Sequence, residues 1–215
     1  MSRTRLFIEN FIAYGLINVL DKIVPLLLLP FITRLLTDPS EFGVYDMYNL
    51  IIGFGVPLAV LGMYDAMFRE YFEKDDLKYR HDITTTANRI VLTASVFICI
   101  IFIVFNSSFS KLFFGTSVYG TVIVFSAIGM IISANKAIIS APTRIQNKRA
   151  IYMVSGILSS LLYYGLAILL IYLGYSYFGL IYANIISAFS LLIFFLVLNR
   201  NFFTLGKFDK NIAKE

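Results

Sequence analysis

Six long apolar runs divide the chain, at about residues 11–36, 43–68, 86–106, 117–139, 153–174 and 177–198. Each is near or above the roughly 20 residues that a helix needs to cross the hydrocarbon of a bilayer. None alternates apolar and polar positions, which argues against barrel strands of about 10 residues. The pattern predicts an all-α integral membrane protein, a six-transmembrane-helix bundle forming one membrane domain over residues 1–215. Residues 199–215 read as a tail, polar and expected to be an exposed end.

Polar breaks separate the runs. Thr37-Asp38-Pro39-Ser40-Glu41 is a turn that carries a helix start signal. Residues 69–85 read as a mixed-charge loop, and Ala141 to Arg149 as a basic turn. Gly174-Tyr175-Ser176 is so short that the fifth and sixth helices are expected to form a tight antiparallel hairpin. Arg3 and Arg5 precede the first run as they would in a signal peptide. That run far exceeds a signal core of roughly 7–15 residues, and no small-residue cleavage site ends it. It reads as a retained first helix.

Composition strengthens this picture. The chain is 59% hydrophobic and 14% charged, with a mean hydropathy of +0.80. Soluble domains are near half apolar and about a quarter charged. Such a chain cannot cover its surface with polar groups, so lipid must be its solvent.

The net charge of +5 acquires meaning by position. Arg3, Arg5, Arg69, Lys74, Arg80, Arg144, Lys148 and Arg200 fall with most other basic residues on one side of the spans. Only Arg34 and Lys111 fall on the other. Basic residues mark the cytoplasmic side, which places both termini inside. The charge then speaks for membrane orientation and not for nucleic acid. Tyr172, Tyr175, Tyr177 and Phe178 bracket the last turn as an interfacial aromatic belt would, with ligand stacking as the alternative.

Polar residues recur at helical spacing inside the spans. The first run has Asn10, Tyr14, Asn18, Asp21, Lys22 and Pro25. A charge at membrane depth costs about 2.5–3.5 kcal/mol on insertion scales. Asp21 and Lys22 point about 100° apart, so each needs its own partner or water. The second run has Asp46, Asn49, Gly53 and Pro57, followed by Asp65 and Arg69 at a spacing that permits an ion pair, an interfacial anchor or a headgroup contact. The fourth has Ser126, Gly129, Ser133, Lys136 and Ser140; the fifth Ser155, Ser159 and Tyr163; the sixth Asn184 and Ser187.

Two readings compete for these stripes. In one they are packing contacts between helices, worth about 0.6 kcal/mol per hydrogen bond. In the other they line a water-filled cavity. The charged first run favours the cavity and the later runs favour packing, with Lys136 also able to snorkel to the inner interface. Pro25, Pro30, Gly53 and Pro57 are hinge candidates, because proline removes a backbone bond and kinks a helix.

No enzyme chemistry is expected. His81 is the single histidine and Cys99 the single cysteine, in an apolar run. There is no phosphate-binding G-x-x-x-x-G-K-[ST] loop. Glu70, Glu73, Asp75, Asp76 and Asp82 are interleaved with basic residues, so no metal site and no cofactor are expected.

The first third of the chain resembles the polysaccharide transporter family, the O-antigen flippases of the multidrug/oligosaccharidyl-lipid/polysaccharide flippase superfamily. The likeness rests on Asn18, Pro25-Leu26, Pro30, and the junction Thr33-Arg34-Leu35-Leu36-Thr37-Asp38-Pro39-Ser40-Glu41-Phe42-Gly43-Val44-Tyr45. Gly62 and Arg69-Glu70-Tyr71 also fit. The resemblance implies two pseudosymmetric six-helix lobes around a central cavity, of which this chain supplies one. It implies flipping of undecaprenyl-diphosphate-linked oligosaccharide across the bacterial cytoplasmic membrane, for O-antigen, lipopolysaccharide and related surface polysaccharides. Lys22, Arg34 and Arg69 are then candidates for the anionic group. A second lobe or polysaccharide assembly proteins would be partners. A multidrug or metabolite exporter of the same superfamily, or a non-transporting remnant, are the alternatives.

Overall fold

The computed structural model describes residues 26, 28, 30–36 and 38–209. Asn18, Asp21, Lys22, Pro25 and most of the first run lie outside the described residues. Those described are helical or in short connections, with no strand among them.

Residues 30–35 form the end of a helix. The chain re-enters helix at α1, Pro39–Val60. The start is set locally: Asp38 accepts from the Ser40 amide at 2.8 Å and from its hydroxyl at 2.6 Å. Pro39 follows at a position where its missing N–H costs nothing. The run at 43–68 predicts one helix, but the structure breaks it. Leu61 and Gly62 are both left-handed, with φ of 53° and 71°, and a separate helix α2 occupies Met63–Tyr71. A left-handed residue ends a helix by turning its amide back to an earlier carbonyl; here the Leu61 N–H reaches the Pro57 oxygen at 3.1 Å.

The predicted loop at 69–85 is mostly helix as well. Asp76 accepts from the Lys78 amide at 3.0 Å and starts α3, Leu77–Val104, nine residues before the apolar run. Next come α4, Asn106–Phe114, and α5, Gly120–Ile145, which carries Pro142 within its last turn. α6, Arg149–Leu170, leads through a π-helical turn, Ile171–Tyr175, into α7, Ser176–Leu198. Gly174, with φ 89°, and Ser176, with φ 51°, reverse the chain here. α8 covers Arg200–Thr204.

Four stretches of described helix are long and apolar enough to cross a membrane: Pro39–Val60, Leu77–Val104, Gly120–Ile145 and Arg149–Leu198. The last has 50 residues. Unbroken, it would extend roughly 75 Å; folded at Gly174 it becomes the α6–α7 hairpin. Phe54, Phe97, Leu158 and Leu173 stand exposed on the outside of the bundle, as side chains solvated by lipid do. The chain is a membrane protein.

α5 is the centre of the bundle, packed on α1, α3 and α7. Among the described residues, three buried hydrophobic clusters lie along it, the smallest being Cys99, Ala127 and Met130 between the two larger cores. One joins Ile32, Tyr48, Val122, Ala167 and Leu180. The other joins Ala59, Met67, Val91, Ala134 and Ile138.

The described part of the tail, residues 199–209, is docked on the bundle although most of its residues are exposed. Thr85 donates to the Phe202 carbonyl at 2.9 Å, the Lys207 amide donates to Asp82 at 2.6 Å, and the Asp209 amide donates to Thr86 at 3.1 Å. The Phe202 ring packs on His81 and Tyr71. Residues 200–209 are thus pinned along the second and third turns of α3. Thr84, Thr85 and Thr86 are buried there, so their hydroxyls need partners and the tail backbone supplies some of them.

Candidate functional site

α1 has two unlike faces. Val44, Tyr45, Tyr48, Ile51, Gly55 and Ala59 are buried. Asp46, Gly53 and Pro57 are exposed and Asn49 half-buried, on the opposite side by helical spacing. The polar stripe of this span therefore lies on a face that no described residue covers. Leu50, Phe54 and Leu58 flank that face, on the side turned to lipid, and are also exposed. Arg34 and the helix-end Pro30 are exposed too, and among the described residues neither Arg34 nor Asp46 has an ion-pair partner.

The buried side of α1 holds a polar cluster of its own. Tyr163 of α6 donates to the Tyr45 hydroxyl at 2.7 Å, and Tyr48 donates to the Asn184 side chain of α7 at 3.1 Å. The Tyr45 and Tyr48 rings stack at 5.8 Å. Asn49 and Asn184 also act on the Tyr45 hydroxyl. Tyr48 is fully buried because Gly129 of α5 leaves room for its hydroxyl; a β-carbon there would stand 2.8 Å from it. The result is a set of neutral donors and acceptors joining α1, α6 and α7.

Further along α5, Asn135 donates to Ser95 of α3 at 3.1 Å. Beyond it Asn199 donates to the Ile139 carbonyl and to Thr143, both at 2.8 Å. Lys136 sits between these two bonds on another side of α5. It lines a cavity of about 110 Å³ together with Ser140, Tyr152, Ser155 and Phe195.

Arg69 does not pair with Asp65. Its guanidinium holds Glu70 instead, at 2.9 and 3.0 Å. The break at Leu61–Gly62 places Asp65 in the first turn of α2, where a carboxylate is favoured by the helix dipole without a cation. The Glu70 carboxyl is held below its ordinary value by the hydrogen bonds it shares with Glu73, Arg69 and Tyr79. Arg144 lies over the rings of Tyr64 and Tyr152, 5.6 and 5.3 Å from their centroids.

The structure therefore separates the sequence candidates. Asp46, Asn49, Gly53 and Pro57 share one open face, Lys136 lies in a cavity between α5, α6 and α7, and Asp65 and Arg69 belong to α2. Tyr45 and Tyr48 were not candidates from sequence, although they alternate with Asp46 and Asn49. Hydroxyl and amide groups, the Asp46 carboxylate and the recessed Lys136 cation can bind polar and anionic groups.

A family model described as a polysaccharide biosynthesis protein matches residues 31–214. No curated protein and no solved structure matches the chain.

Proposed function

The chain belongs to the polysaccharide biosynthesis protein family, and from that premise we propose that it moves lipid-linked oligosaccharide across the bacterial cytoplasmic membrane as one half of a longer transporter. The cargo is an undecaprenyl-diphosphate-linked oligosaccharide destined for surface polysaccharide. The role is transport and not enzymatic. The proposal counts the apolar run at residues 11–36 as a span together with α1, α3, α5, α6 and α7, with both termini in the cytoplasm.

The observation that supports this reading is the open polar face of α1. Asp46, Gly53 and Pro57 are exposed on a span whose opposite face is packed. A carboxylate turned to acyl chains is costly, and intramembrane ionisable residues face a bundle interior or a water-filled cavity. In the proposal this face turns to a shared aqueous vestibule, closed on its far side by a second lobe. Lys22 and Arg34 supply positive charge to the diphosphate, and Asn49 meets sugar hydroxyls.

The test is made in the complete protein in its own cell. Lys22→Ala and Asp46→Ala are expected to abolish surface polysaccharide while protein levels stay normal. Normal polysaccharide in both variants would reject the vestibule. The exposed Asp46 also suits a proton- or sodium-coupled exporter, the second reading. Asp46→Asn would then raise drug sensitivity and leave polysaccharide untouched.

A further inference from the structure

Acidic residues are unevenly placed along this chain. From Ile83 to Phe208 there is no Asp or Glu, but there are eight basic residues, Lys136, Arg144, Lys148 and Arg149 among them. α5, α6 and α7 thus have no carboxylate of their own to neutralise a cation. Lys136 lies nine residues before Ile145, the end of α5, or roughly 14 Å along the axis. It forms no ion pair with a described residue. A recessed cation with no acid on any of the three helices that line its cavity needs its counter-charge from elsewhere.

The Lys136 cavity continues into a second one. Ser155 of α6 and Leu191 of α7 line both it and a groove of about 480 Å³ between the arms of the hairpin. Ile151, Val154, Leu158, Leu162 and Phe194 make the groove wall chiefly hydrocarbon. The arms touch at their closed end, where Gly179 lies against Leu170 and Ile171. Towards the open end α6 buries only Ser155. A small cationic compartment that leads into an apolar slot has the polarity of one ligand class, an anionic headgroup joined to a hydrocarbon chain.

We propose that the Lys136 cavity and the α6–α7 groove form one binding site for an anionic phospholipid, with its phosphate on Lys136 and an acyl chain along the groove. The head compartment, at about 110 Å³, is well below the roughly 300–1,000 Å³ of pockets that enclose a drug-sized molecule. It suits a phosphate and not an oligosaccharide. The site requires only that the chain is embedded in lipid, and it stands whether or not the chain carries sugar.

The test is native mass spectrometry of the full chain in mixed micelles, with dioleoylphosphatidylglycerol and dioleoylphosphatidylcholine offered at equal concentration. The wild-type chain is expected to retain the anionic lipid about fivefold over the zwitterionic one, the share that one lysine contributes near an anionic surface. Lys136→Ala brings that ratio to about unity, and Lys136→Arg preserves it, which separates lost charge from lost fold. Leu158→Trp, filling the groove, lowers retention of both lipids. Equal retention of the two by the wild-type chain, or an unchanged ratio in Lys136→Ala, would overturn the site. Displacement of the phosphatidylglycerol by equimolar undecaprenyl phosphate would reassign it to the polyprenyl carrier and overturn the phospholipid proposal.

Discussion

The hydroxyl of Tyr163 donates to that of Tyr45 at 2.7 Å and ties α6 to α1 across 118 positions of sequence. Hydrogen bonds between membrane helices average about 0.6 kcal/mol, with a maximum of about 1.7. Tyr163→Phe and Tyr45→Phe are each expected to destabilise the chain by about that amount in unfolding experiments in mixed micelles. The double variant should cost less than the sum of the two. Strict additivity would show that the hydroxyls act independently.

Gly129 and Gly53 should respond in opposite ways to the same change. A β-carbon at Gly129 would stand 2.6 Å from Ile52 and 2.8 Å from the Tyr48 hydroxyl, whereas at Gly53 it meets nothing within 4 Å. Overpacking typically costs about 1–3 kcal/mol, so Gly129→Ala is expected to lower stability by that amount. Gly53→Ala should be neutral, or stabilising by up to about 1 kcal/mol through helix propensity. If Gly53→Ala stabilises the chain yet stops polysaccharide export, Gly53 is a hinge; unchanged export would remove it from the candidates.

The docked tail can be released by one methyl group. A β-carbon at Gly206 would lie 2.3 Å from the His81 carbonyl and 2.2 Å from the Thr85 hydroxyl, and neither the backbone nor the short threonine side chain can withdraw easily. Gly206→Ala is expected to free residues 200–209, seen as faster amide exchange at Lys207 and Asp209 and easier tryptic cleavage after Lys207. Thr85→Val, which removes only the bond to Phe202, should cost about 1 kcal/mol. Protection equal to wild type in Gly206→Ala would contradict the docking.

The cap at Asp38 sets a pH prediction. The hydroxyl and amide of Ser40 both donate to the Asp38 carboxylate and hold its pKa below the ordinary value. A group with a lowered folded pKa adds stability that is fully present above its unfolded value, near 3.9 for Asp, and is lost as pH falls through the folded one. Protection of the Ser40 amide, corrected for intrinsic exchange, should therefore be flat from pH 8 to 5 and fall only in stronger acid. Asp38→Asn keeps the cap and removes the dependence. Protection that already declines between pH 7 and 5 would assign the titration to another group.

Orientation is testable with two added thiols, since the native Cys99 is buried and can be replaced by alanine. Ser108 and Lys148 are both exposed and lie at opposite ends of the spans. A cysteine at 108 should react with an impermeant reagent in intact cells and one at 148 should not. The reverse labelling would invert the topology.

Sequence and structure agree best where the signal is strong and local. The last apolar run, 177–198, differs from α7 by one residue, because Gly174 marks the reversal and the run is uninterrupted. The second run hides its break, since Leu61 has no left-handed signature and hydropathy continues smoothly through Gly62. The helical start of α3 at Leu77 was obscured by charges that suggest a loop, although Asp76 is a good cap. The tail reads as free because its polarity is that of an exposed end, while its partners, Asp82, Thr85 and Thr86, are far away in sequence. The open stripe of α1 was visible as Asp46, Asn49, Gly53 and Pro57. Its buried counterpart, Tyr45 and Tyr48, was not, because tyrosine in a span reads equally as a belt residue or as core, and only the glycine on α5 decides.

The separation of the two larger cores along α5 has an energetic consequence. Residues such as Leu180 and Ile138 belong to different cores, and energetic effects at well-separated sites with no shared partners add without coupling. A small cluster of Cys99, Ala127 and Met130 lies between them and shares Val56 and Ile98 with the core around Met67. Substitutions at Leu180 and Ile138 therefore leave each other's neighbours untouched, whereas those at Met130 and Ile138 are transmitted through the side chains they share.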